Sequence, residues 1–123
     1  MYHFLNIDDV ELNRFVLSRM LQKIYPDCCI IEASTGKEAL DKFELAKHQN
    51  INFDIIFCDY SMPPFNGDKV IEKLRLYYKY SGKIIVVTAY SKTDMPKMLC
   101  DDLIEKPIIF GTFSKTIKEI INE

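Results

Sequence analysis

The sequence predicts a doubly wound α/β domain, a five-stranded parallel sheet with helices on both faces. Three observations carry that reading. Short β-branched or aromatic runs alternate with stretches whose apolar residues recur near every 3.6 positions. The runs are apolar almost throughout, as in Ile84–Val87, which marks strands covered on both faces rather than on one. The strand-helix alternation then persists to the end of the chain, which argues for parallel crossovers and against hairpins.

Each element has its own warrant. The first strand is Tyr2–Ile7, and the helix after it is set by Leu17, Met20, Leu21 and Ile24. Pro26 forbids that helix from continuing, because it lacks the amide hydrogen and crowds the preceding turn. Cys28–Glu32 forms the second strand. Thr35-Gly36-Lys37-Glu38 has the form of a capping box opening a second helix through Ala39, Leu40, Phe43 and Ala46. The third strand is Phe53–Cys58, and Val70, Ile71, Leu74, Tyr77 and Tyr78 follow at helical spacing as a third helix. Lys83–Thr88 is the fourth strand. Ser91–Cys100 contains Pro96 and only Met95, Met98 and Leu99 as apolar anchors, so a fourth helix there is short or irregular. Leu103–Glu105 is a weaker fifth strand, followed by a final helix through Phe110, Phe113, Ile117, Ile120 and Ile121.

At 123 residues and 48% hydrophobic content the chain is expected to be one domain, residues 1–123, without a separate sensor or output module. No DNA-binding segment is expected after the final helix. Sixteen Lys plus Arg against eighteen Asp plus Glu give a net charge of -2, so no basic field holds a polyphosphate and direct nucleic-acid binding is not expected. Cys28, Cys29, Cys58 and Cys100 show no zinc-ligand spacing and read as reduced core thiols. No signal peptide or apolar span of membrane length is evident, so the domain is expected to be cytoplasmic, with no membrane insertion.

Ligands of doubly wound sheets bind beyond the carboxyl ends of the strands. There the sequence places Asp8 and Asp9 after the first strand, Asp59 after the third, Thr88 at the end of the fourth and Lys106 after the fifth. The second strand ends in Glu32 and Ala33 and need not contribute. Three carboxylates packed together repel one another and take up protons unless a cation sits among them. An oxygen-only donor set with open positions suits Mg²⁺, which keeps waters and accepts phosphate oxygens. One carboxylate is then a nucleophile toward a phosphoryl group, with Lys106 as the neutralising ammonium.

Ile7-Asp8-Asp9, Cys58-Asp59-Tyr60-Ser61-Met62-Pro63 with Gly67 following, Val87-Thr88-Ala89 and Glu105-Lys106-Pro107 together resemble the motifs of response-regulator receiver domains of two-component signalling. The resemblance spans the chain. It implies a flavodoxin-like three-layer fold with strand order 2-1-3-4-5, and a phosphoryl group received on Asp59 from a phosphohistidine. The donor would be a histidine kinase or a histidine-phosphotransfer protein, and the output an unidentified downstream protein. By the same resemblance Asp9 and Asp59 ligate Mg²⁺ directly, Asp8 ligates it through water, and the Ser61 carbonyl completes the protein ligands. Thr88 and Lys106 bind phosphoryl oxygens, and a cis peptide precedes Pro107. The chain would catalyse only its own phosphorylation and dephosphorylation. Asn13-Arg14 after the acidic pair resembles receivers attached to hybrid histidine kinases. Leu103 stands where such domains commonly carry an aromatic switch residue.

Three competing readings fare worse. A pseudo-receiver, a binding module that keeps the fold without the chemistry, is favoured slightly by Leu103 and opposed by every phosphoryl position being filled. A phosphohydrolase resembling the haloacid dehalogenase family needs Asp-x-Asp after its first strand, whereas Asp8 and Asp9 are adjacent. A mononucleotide binder needs hydroxyls and free amides there, and the acidic pair would repel its phosphate. His3 and His48 have no paired ligands at useful spacing. Tyr60 and Tyr90 flank the site as shields or as an aromatic rim. Of Tyr77, Tyr78 and Tyr80, one or two are expected to pack on the sheet and the rest to face a partner.

Overall fold

The computed structural model describes residues 1–64, 66–91 and 99–122. In chain order they form β1 (His3–Ile7), α1 (Glu11–Ile24), β2 (Cys29–Ala33), α2 (Gly36–His48), β3 (Ile55–Cys58), α3 (Gly67–Glu72), β4 (Lys83–Thr88), β5 (Asp102–Glu105) and α4 (Phe110–Asn122). The sheet order is β2-β1-β3-β4-β5 with every pair parallel, as the resemblance implied. The expected fourth helix over Ser91–Cys100 lies largely outside the described residues.

The strands' near-continuous apolar runs sort by period two onto the two faces. Leu5, Ile7, Ile56, Ile84 and Val86 enter one core with Ala39 and Phe43 of α2 and Val70 and Ile71 of α3. Phe4, Ile55, Phe57, Ile85 and Val87 enter the other, against Leu17 and Leu21 of α1 and Phe113 and Ile117 of α4. Burying both faces is why these strands carry so few polar residues.

The helix ends follow local chemistry. Thr35 caps α2, its hydroxyl accepting from Glu38 N–H at 3.0 Å, while Glu38 Oε1 accepts from Ser34 N–H at 2.9 Å. The capping box therefore closes on the residue before Thr35 rather than on Thr35 itself. α2 ends with Asn50 in the left-handed region at φ 59, where Asn50 N–H donates to Lys47 O and Ile51 N–H to Ala46 O.

The third helix runs on past α3 without a break, but Lys73–Tyr77 widens to a π-helical turn marked by Tyr78 N–H donating to Lys73 O. The wider turn brings Tyr78 and Tyr80 edge-on to Phe43 and leaves Tyr77 76% exposed, dividing the tyrosines as the sequence suggested. Tyr80 Oη reaches Phe53 O at 2.9 Å and Lys83 O at 3.3 Å, and burial raises its pKa. Arg75 then fastens this turn to Leu99 O and the Asp101 carboxylate ahead of β5. Among the described residues, no helix is long and apolar enough to cross a membrane.

Candidate functional site

The ladder of the sheet runs one residue past the strands and so fixes the backbone of the charged residues. Asp8 N–H donates to Ala33 O at 3.1 Å, Asp59 N–H to Ile7 O at 2.9 Å, and Lys106 N–H to Thr88 O at 2.7 Å. Three carboxylates converge as a result, one oxygen each from Asp8, Asp9 and Asp59 lying within 4.8 Å of the others. Asp8 and Asp59 are buried and Asp9 is exposed, so the cluster opens to solvent on one side. Lys106 Nζ stands 2.9 Å from Asp8 Oδ2 and 3.6 Å from Asp59 Oδ2. It is the counter-charge the cluster requires.

Burial raises the Asp59 carboxyl above the ordinary carboxylate range. The Lys106 ammonium opposes that shift, Asp8 reinforces it, and hydrogen bonds from the Ser61 and Tyr60 amides oppose it. The anion therefore exists at a cost that a further cation would relieve. An all-oxygen donor set with an exposed member fits a hard, hydrated dication.

Thr88 is buried at the end of β4, and its hydroxyl accepts from Tyr90 N–H at 3.3 Å, within its own turn. Ser61 is exposed beside Asp59. The peptide between Lys106 and Pro107 is cis, as expected, and so is that between Pro63 and Pro64, for which the sequence offered no signal. Gly67 follows from crowding, because a Cβ there would run into Asp59 O and lie 3.0 Å from Tyr60 Cα. Tyr60 and Tyr90 form an edge-to-face pair with ring centres 5.8 Å apart. Cys58 is fully buried and its thiol is pushed far up by burial, so it stays protonated and is no nucleophile. Leu103 is half-buried against the α2–α3 core.

Glu32 at the end of β2 stays out of the acid cluster, but it accepts from Arg14 Nε at 3.2 Å and from Ser18 Oγ at 3.0 Å in a polar network that sequence reasoning missed. The signal was present in Asn6, an amide buried between the apolar Leu5 and Ile7 of β1. It donates to Ser18 Oγ and Arg14 O, both at 3.0 Å.

A parallel sheet of this order, gathering three acids, a threonine and a lysine at one edge, defines a class of signalling domain. The chain belongs to the response regulator receiver domain family, whose model matches residues 4–118. It is 31% identical to stress response regulator protein 1 of Debaryomyces hansenii over 94% of this chain and 44% of that protein. The corresponding protein of Candida dubliniensis is 35% identical over 76% of this chain and 32% of its own length. The chain thus spans less than half of these relatives.

Among solved structures, response regulator TrrA from Thermotoga maritima in complex with Mg²⁺-BeF is 30% identical. Its TM-score is 0.80, and the match covers 98% of this chain and 99% of that one. Histidine kinase ThkA in complex with TrrA matches at 29% identity and TM-score 0.80, covering 98% and 99%. The chain is a two-component receiver domain.

Proposed function

We propose that residues 1–123 act as one phosphoacceptor unit in which Asp59 takes a phosphoryl group from a partner phosphohistidine. The observation that carries this is the convergence of the Asp8, Asp9 and Asp59 oxygens within 4.8 Å, with Lys106 Nζ against two of the three carboxylates. An Asp59 carboxylate oxygen attacks phosphorus, the N–P bond breaks, and the donor imidazole leaves as the neutral base after protonation. Mg²⁺ would be held by Asp9, Asp59 and the Ser61 carbonyl directly and by Asp8 through water, and would supply neutralisation of the phosphoryl oxygens and of the crowded carboxylates.

Lys106 shares its ammonium between Asp8 and Asp59 beforehand and pairs with a phosphoryl oxygen afterwards. Thr88 gives its hydroxyl to another, a rotation that exchanges its contact with Tyr90 N–H for the new one. Both groups act on charge that grows as the acyl phosphate forms. Hydrolysis of that acyl phosphate is the only turnover.

The donor in this reading is a histidine kinase or a histidine-phosphotransfer protein, met in the cytoplasm on the exposed face of α1. Leu12, Phe15 and Val16 present apolar surface there, and Leu12 and Val16 line a cavity of about 500 Å³ that also reaches Asp59 and Lys106. The complex of ThkA with TrrA supports a kinase as donor. The output passes to another protein, and a net charge of -2 favours protein over nucleic acid as target.

The test is intact mass after incubation with acetyl phosphate, with and without Mg²⁺. One phosphoryl addition that needs Mg²⁺ and is lost in Asp59→Asn is expected. Addition to the Asp59→Asn variant, or none to the wild type under any condition, overturns the assignment.

A further inference from the structure

We infer that Arg14 is a positioning residue for the acid cluster, and that divalent-cation affinity depends on its clamp between β2 and the exit of β1. Its guanidinium faces two ways. One terminal nitrogen donates to the backbone oxygen of Asp8 at 2.7 Å, and Nε donates to Glu32 Oε1 at 3.2 Å. The Asp8 oxygen belongs to the rigid peptide plane shared with Asp9, so this bond sets how that plane is turned. Both carboxylates depart from the two ends of that plane. Asp9, the exposed member of the cluster, is placed by its backbone rather than by packing.

The other end of the clamp is anchored in turn. Glu32 Oε2 accepts from Ser18 Oγ, Asn6 Nδ2 donates to the same hydroxyl, and Lys42 Nζ donates to Glu32 O at 2.5 Å. Elements β1, α1, β2 and α2 thereby converge on one peptide group. Asp8 itself is tied from three further directions, by its amide on Ala33 O, by Oδ1 accepting from Val10 N–H at 3.0 Å and by Oδ2 accepting from Lys106 Nζ at 2.9 Å. Groups that orient metal ligands from behind are commonly worth 10–100-fold in affinity.

Charge and geometry predict opposite signs here. Arg14 is a cation beside a cation site, so on charge alone its removal strengthens Mg²⁺ binding and its replacement by lysine changes nothing. If it positions the acids, both changes weaken binding, because a lysine ammonium lacks the planar fork that serves two acceptors at once.

The inference rests on the acid cluster being the cation site proposed above, and the experiment separates the two. Mg²⁺ affinity is measured by calorimetry on wild type, Arg14→Gln and Arg14→Lys, with circular dichroism to establish folding. Weakening of about tenfold or more in Arg14→Gln and severalfold in Arg14→Lys, in folded protein, is expected. Binding in Arg14→Lys equal to wild type, or tighter binding in Arg14→Gln, overturns it. Should the glutamine variant not fold, the lysine variant decides. A wild type that binds Mg²⁺ but takes no phosphoryl group sinks the proposed function and leaves this inference standing.

Discussion

Replacing Lys106 by methionine should move the stability of the metal-free chain and its Mg²⁺ affinity in opposite directions. Methionine keeps most of the aliphatic stem and removes only the ammonium. That ammonium lies 2.9 Å from Asp8 Oδ2 and 3.6 Å from Asp59 Oδ2, both on side chains under a tenth exposed. Removing one partner of a fully buried ion pair costs about 3–5 kcal/mol. Lys106 is 19% exposed, and the water it meets trims the figure to about 2–3 kcal/mol. For a domain of this size that lowers Tm by roughly 10 °C.

A dication among the same carboxylates is repelled by the ammonium, by about 1.7 kcal/mol at about 5 Å even in the dielectric of water. Its removal therefore tightens Mg²⁺ binding by about tenfold or more. The assay is Tm with and without saturating Mg²⁺, together with a calorimetric titration. Metal-free stability equal to wild type would show that Lys106 is not the counter-charge of the cluster. Weaker Mg²⁺ binding would show that it builds the site rather than competing for it.

Four further outcomes follow from the geometry. Asp59→Asn removes a carboxyl whose folded pKa is raised, a group whose stability contribution is full below the unfolded value of about 3.9 and is lost as pH rises toward the folded one. The metal-free variant should then melt above wild type at neutral pH, with the difference vanishing toward pH about 4; a lower melting temperature at neutral pH contradicts this. Gly67→Ala drives a Cβ into the Asp59 carbonyl and should cost about 2 kcal/mol in urea unfolding, a cost that an unchanged midpoint would refute. Tyr80→Phe gives up two hydrogen bonds to backbone carbonyls and should lose about 1–1.5 kcal/mol. Because burial raises the Tyr80 pKa, wild type should also lose stability above pH about 10, with a shallower decline in the Phe variant.

The sheet was legible because its strands are buried on both faces, and Leu5 against Phe4 or Val86 against Ile85 need no further instruction than alternation. The gathering of Asp8, Asp59 and Lys106 was legible for the same reason, since parallel strands put their carboxyl ends on one edge. What escaped was chemistry that acts across elements. Glu32 reads as a polar residue at a strand end, and nothing in its neighbours announces Arg14 eighteen positions earlier. The π-helical turn escaped because Val70, Ile71 and Leu74 fit an ordinary helix, and the wider spacing goes with tertiary contacts, Tyr78 and Tyr80 seating on Phe43 and Arg75 reaching Leu99 and Asp101. The reciprocal bond of Glu38 fell one residue from its expected place, a shift that depends on backbone angles and not on residue type.

In the proposed reaction Asp59, and no other carboxylate of the cluster, receives the phosphoryl group. Borohydride reduces an acyl phosphate to the corresponding alcohol, so chain treated with acetyl phosphate and Mg²⁺, reduced and digested, reports the acceptor as homoserine in its peptide. Homoserine at position 59, absent when Mg²⁺ is withheld, is the expected result. Homoserine at position 8 or 9 would rule out Asp59 as the sole acceptor.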